Sequence, residues 1–144
     1  MQLKAYQRAL LVLVVLITAT PAFSAGVVVQ DQDEYREAVK NARPGDVIRL
    51  ANGTWNDFEI LFRGEGTEDN PITLTAEEKG KVILSGQSNL RLAGKHLVVS
   101  GLVFKDGYTP TGEVISFRRN KDDLAYHSRV TEVVIDGYNN PERT

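Results

Sequence analysis

The sequence predicts an all-β protein, a right-handed parallel β-helix with one capping α-helix on its N-terminal side. Three observations carry this. From residue 47 onward, apolar runs of three to five residues follow one another, separated by Gly, Asn, Asp or Pro; they are too short for helices and of strand length. Three of the runs, VILSG, LVVSG and VVIDG, share a β-branched or leucine triplet, then Ser or Asp, then Gly86, Gly101 or Gly137. A repeated unit is what a solenoid requires, whereas a β-sandwich has short strands but no cause for one recurring motif. Finally, all 12 glycines lie beyond residue 24, where Val, Ile and Thr supply 27 of 120 residues. That balance favours strands and turns and excludes an all-helical bundle.

Residues 1–24 form the first element. Lys4 and Arg8 precede an apolar run from Ala9 to Ile17, followed by Pro21, Ala22 and Ser24. This is the pattern of a secretory signal peptide, with cleavage expected after Ser24. Nine apolar residues at about 1.5 Å rise cover roughly half of a hydrocarbon core, so no stable membrane anchor is expected once the leader is removed. The expected address is secreted or periplasmic, with one domain over residues 25–144.

The helix comes next. Tyr35, Ala38, Val39 and Ala42 fall at i, i+3, i+4 and i+7 within residues 31–42, one stripe of a helix. Asp31 and Glu34 have capping-box spacing, Asp33 and Glu34 suit the positive end of the helix dipole, Lys40 and Arg43 suit the negative end, and Pro44-Gly45 stops it. The strands follow as VIRL (47–50), FEILF (58–62), ITLTA (72–76), VILSG (82–86), LRLAG (90–94), LVVSG (97–101), LVF (102–104), VISF (114–117) and VVIDG (133–137). Centres at Ile48, Ile72 and Val98 lie 24 and 26 residues apart, giving coils of two or three strands in the low twenties of residues. The first coil would expose an edge and an apolar interior, so helix 31–42 is the expected lid. After VVIDG only YNNPERT remains, without an amphipathic helix. The expectation is therefore an incomplete solenoid, roughly four coils from the start of a longer protein.

Charge and composition narrow the function. The formal net charge is −2, or −4 without Lys4 and Arg8, which leaves no basic footprint for nucleic acid. Without cysteine there is no disulfide framework, thiolate zinc site or cysteine nucleophile. GEG at 64–66 lacks a following GK[ST] and is expected to be a turn rather than a phosphate loop. Asn52-Gly53-Thr54 matches a glycosylation sequon but is expected as a tight turn between VIRL and FEILF.

The run DEYREAVKNARPGDVIRLANGTWNDFEI, then GTEDNPITLTAEEKGKVILSGQSNLRLAGKHLVVSGLVF and SRVTEVVIDGYNNPER, resembles the amino-terminal part of the chondroitinase-B-like polysaccharide lyases, family six. That family includes alginate lyases of the poly(β-D-mannuronate) lyase type and a dermatan sulfate lyase. The resemblance covers residues 31–143 and rests on the order of its pieces: helix, PGD turn, NPITL, GKVILSG, NNPER. It implies a pectin-lyase-like solenoid and β-elimination on an anionic, uronic-acid polysaccharide, with Ca²⁺, a lysine base and an arginine acid. The family's motifs of the NKS and RHG type are absent from this sequence. No catalytic or metal residue is therefore assigned to it, and the segment itself is expected to be inactive.

Arg118, Arg119, Lys121, Tyr126, His127 and Arg129 form the densest cationic and aromatic group, on a loop that interrupts the coil pattern. Arg pairs bidentately with carboxylates and Tyr stacks on sugar rings, so Arg118, Arg119, Tyr126 and His127 are the candidate substrate contacts. The alternative is a solvated insertion balanced by Asp122 and Asp123. These two acids lack the spacing of a glycosidase pair, and Glu132 and Asp136 lack that of a calcium loop. His96 is expected only to cap a strand. A non-catalytic polysaccharide-binding or structural β-helix module is the competing function.

Overall fold

The computed structural model describes residues 26–139; the expected leader, its cleavage site after Ser24 and the last five residues lie outside them. Three stacks of parallel strands form a β-solenoid of roughly three turns. Sheet A runs β1 (Val27–Val29), β2 (Val47–Leu50), β5 (Ile72–Ala76), β8 (Leu97–Ser100) and β13 (Arg129–Thr131). Sheet B stacks β3 (Gly53–Asn56), β6 (Val82–Gln87), β9 (Leu102–Tyr108) and β14 (Val134–Asp136). Sheet C places β4 (Glu59–Glu65) beneath β7 (Asn89–Lys95), and β7 beneath β10 (Ile115–Ser116) and β12 (Asp123–Tyr126). Each coil visits A, B and C in turn, so neighbours in space are one coil apart in sequence.

Register shows why the short runs suffice. Ile48 lies on Leu74 and Leu74 on Val99, advances of 26 and 25 residues, slightly longer than the predicted coil. In sheet B, Trp55, Leu84 and Phe104 share a column; in sheet C, Ile60 pairs with Leu90 and Phe62 with Leu92. These side chains alternate inward from each strand and are almost completely buried, forming one apolar core along the axis. No single coil could bury its inward face alone, so stability comes from stacking.

The helix α1 (Gln32–Asn41) forms where expected. Asp31 is its N-cap and accepts from Asp33 N and Glu34 N at 2.9 Å each, while Glu34 Oε2 accepts from Gln30 N at 2.7 Å. The reciprocal bond of the capping box thus reaches one residue before the cap. Tyr35 is buried edge-on against Phe58, at 5.1 Å between centroids, and Phe58 stacks on Trp55 at 5.3 Å. Ala38, Val39 and Ala42 pack beside them. The predicted stripe covers the first coil.

Left-handed residues make the corners. Gly86, Gly101 and Gly137, the glycines of the repeated motif, have φ of 62°, 77° and 56°. They do not occupy one equivalent corner, since Gly101 leads from sheet A into B whereas Gly86 and Gly137 lie where strands of sheet B end. Asn52-Gly53 is not a simple link between two strands: Gly53 begins β3, an additional strand, and donates to Lys81 O at 2.8 Å in the next coil. Of GEG, Gly64 and Glu65 end β4 and only Gly66 lies in the corner.

The third coil is longer, with 31 residues separating Val99 from Val130. Here sheet C is broken between β10 and β12, and the chain makes an antiparallel hairpin of β11 (Arg118–Asn120) with β12. β11 packs over β7. Asn89 and Ala93, which register with the outward Glu59 and Arg63, are fully buried, and Asn89 Nδ2 donates to Thr111 Oγ1 at 3.2 Å in the segment before β10.

Candidate functional site

Of the four residues singled out by sequence, two lie on β11 and two at the end of its partner strand β12 and the corner after it. Arg118 and Arg119 are on β11, on the outer side of sheet C, and are more than two-fifths exposed. Arg118 Nη2 donates to Glu113 Oε1 at 2.9 Å. A hydrogen bond from Ser116, then the charge of Arg118, hold the Glu113 carboxyl below its ordinary pKa. Arg119 Nε lies 3.0 Å from Asp123 Oδ2. The same oxygen accepts from Arg63 Nε at 3.2 Å, although Arg63 is on β4, 60 residues earlier. Asp123 therefore fastens the hairpin to the first coil and is only 17% exposed. Asp122, which the sequence sets beside it, is 79% exposed against Lys121. Asp122 lies in the hairpin turn and Asp123 begins β12, which separates the two acids.

Tyr126 and His127 lie at the corner where sheet C turns into sheet A. Tyr126 registers with Lys95, and Lys95 with Glu65, along the edge of sheet C. His127 stacks on His96, with ring centroids 5.0 Å apart and planes 10° from parallel. Both histidines have φ of 49°. They occupy the same corner one coil apart, so His96 does more than end a strand: it supports its counterpart. Beside them is an open groove of about 550 Å³ lined by Glu68, Pro71, Val98 and Arg129.

A second groove, of about 560 Å³, lies between α1 and sheet C. Val39, Phe58 and Leu61 line it with apolar surface, and Arg36, Lys40, Arg63 and Glu59 supply its charges. Tyr35 fixes the wall by donating from its hydroxyl to Leu61 O at 3.2 Å, and burial pushes that hydroxyl's pKa far above the tyrosine range. Sequence reasoning missed this groove, Arg63 and the role of Asp123. The one available signal was the 60-residue spacing of Arg63 and Asp123, about two coils including the insertion.

The donor set does not fit a calcium cage. Among the described residues no three Asp, Glu, His or Cys side chains gather at one point. Glu132 pairs with Lys79 at 2.7 Å across two coils, and Asp136 with Lys105 at 3.3 Å across adjacent ones. Nor is any described helix long and apolar enough to cross a membrane.

The sequence profile of the Chondroitinase B family matches residues 29–144. The structure is similar to that of the family 6 alginate lyase AlyGC, with a TM-score of 0.81 and 67% identity over 81% of this chain and 16% of that one. A family 6 polysaccharide lyase from Pseudopedobacter saltans gives a TM-score of 0.68 and 35% identity over 76% of this chain and 24% of the other. A mannuronic-acid-specific family 6 lyase from human gut microbiota gives 0.74 and 30% identity over 83% and 28%. Among curated proteins no match was found. The chain thus spans from about one-sixth to somewhat over a quarter of these solved lyases. With stacked parallel strands, a helical lid and a family match across nearly all of its folded length, the chain belongs to the Chondroitinase B family of polysaccharide lyases.

Proposed function

We propose that this protein is a secreted or periplasmic lyase that cleaves uronic-acid polymers, alginate foremost, by β-elimination, and that residues 25–144 supply the capped entry coils of its solenoid. The observation that carries this reading is the 67% identity to an alginate lyase over 81% of the chain. β-Elimination needs the C5 carboxylate neutralised, the C5 proton removed by a base and the departing O4 protonated. A Ca²⁺ ion, the cofactor proposed for the whole protein, supplies charge stabilisation at the carboxylate when bound. Among the described residues no three such donors gather for it, and the chemistry is assigned to coils further along. The roles open to this segment are rigidity and contact with the anionic polymer, through Arg118 and Arg119 on one face and Tyr126 and His127 at the corner.

The test is an assay on alginate, following the ultraviolet absorbance of the unsaturated product. A longer protein containing this segment should generate it, and the 144-residue chain should not; turnover by the short chain would overturn the assignment of the chemistry. Intact mass of exported material should begin at Ala25, and a chain still beginning at Met1 would refute the leader.

A further inference from the structure

Arg63 stands where two features meet. It lines the groove between α1 and sheet C, and its Nε holds Asp123 Oδ2 at 3.2 Å. Among the described residues its terminal guanidinium nitrogens make no hydrogen bond, so the fork that grips a carboxylate bidentately is unused. The groove's charged side chains are three cations, Arg36, Lys40 and Arg63, against Glu59, in a protein of net negative charge. Its apolar surface from Leu61 and Val39 suits the C–H face of a pyranose ring, and its volume of about 560 Å³ falls within the range of small-ligand sites.

We propose that this groove is a binding site for acidic polysaccharide, with Arg63 as the anchor of a uronate carboxylate and Asp123 as a built-in competitor for it. The choice of uronate rests on the lyase reading; the anionic character of the site does not. Asp123 gives Arg63 and Arg119 a shared counter-charge when no polymer is bound. It also weakens the pull of Arg63 on a second carboxylate. Neutralising Asp123 while keeping its shape should therefore tighten binding, whereas removing Arg63 should abolish the anchor. Because Arg63 is half exposed, its replacement leaves the core intact.

The experiment titrates the full chain with mannuronate and guluronate hexamers by calorimetry, with maltohexaose as neutral probe. Arg63→Ala should weaken uronate binding at least about tenfold, as loss of a charge-assisted pair predicts. Arg63→Lys, which keeps charge without the fork, should lie between Ala and wild type. Asp123→Asn should tighten binding about two- to fivefold at low salt, an effect that added salt removes. Lys105→Ala on sheet B should change nothing. The proposal is overturned if the hexamers do not bind, if maltohexaose binds equally well, if Arg63→Ala is silent in a chain that still melts like wild type, or if Asp123→Asn weakens binding. A longer protein that binds through Arg63 but yields no unsaturated product would leave this site standing and remove the lyase reading; an active protein indifferent to Arg63 would do the reverse.

Discussion

Replacing Tyr138 by Phe should destabilise the solenoid through a single oxygen atom. Tyr138 follows β14, yet its hydroxyl accepts from Ser88 N at 2.8 Å and lies 2.7 and 2.9 Å from Ser88 O and Gly86 O, its acceptors, 50 and 52 residues back. Its ring packs edge-on against Phe104 at 5.5 Å, a contact that Phe retains. The substitution therefore leaves apolar packing in place and strands the N–H of Ser88, a residue with no solvent exposure. An unsatisfied buried donor costs about 1–3 kcal/mol, and orphaning the carbonyls adds to this, so the expected loss is about 2–4 kcal/mol. For a domain of this size that is roughly 6–15 °C in Tm. Urea unfolding followed by far-ultraviolet circular dichroism would measure it, with the slope m unchanged because the surface exposed on unfolding is the same. A loss below about 0.5 kcal/mol at constant m would refute the claim that this hydroxyl ties the fourth sheet-B corner to the coils beneath it.

Further outcomes follow from the corners, the lid and the buried hydroxyls. Gly94 has φ of 105°, and a Cβ there would sit 2.0 Å from Gly64 O, so Gly94→Ala should cost about 2–4 kcal/mol in the same urea experiment; an unchanged midpoint would show that the coils separate freely. Asp31→Ala removes the acceptor of two backbone N–H groups and should cost about 1 kcal/mol while leaving the Tyr35–Phe58 contact, to be read from the urea midpoint. The pKa of Tyr35 is raised in the folded state, so its contribution is fully present below the unfolded value near 10 and is lost as pH rises through the folded one. Urea midpoints should be level up to about pH 9.5 and then fall, Tyr35 accounting for up to about 1.4 kcal/mol per pH unit; Tyr35→Phe should flatten that decline, and an identical decline would disprove the assignment.

Much of the architecture was written locally. Asp31, the Tyr35 stripe and Pro44-Gly45 specify α1 through rules that act within a turn or two, and the tertiary structure keeps them. The triplet-plus-glycine runs specify strands ending at left-handed corners, and stacking in parallel register follows because each coil needs a neighbour to bury its inward side chains. Five strands, β1, β3, β11, β12 and β13, lie outside the runs read from the sequence, and for two of them the reason is identifiable. β3 hides behind Asn52-Gly53, a hairpin signal that here serves a solenoid corner, and β11 is wholly polar and exposed, so no hydrophobic alternation marks it.

The sequence by itself determined the helix, the inward-facing columns and the family, because these depend on periodicity and on the order of motifs. Only the tertiary structure decided the outer surface. It folded the hairpin over sheet C and joined Asp123 to Arg63 across 60 residues. It stacked His127 on His96 across one coil. The reason is that burial dictates which side chains turn inward from local pattern alone, whereas exposed charges obtain their partners from coil length and insertion geometry, which no local pattern records.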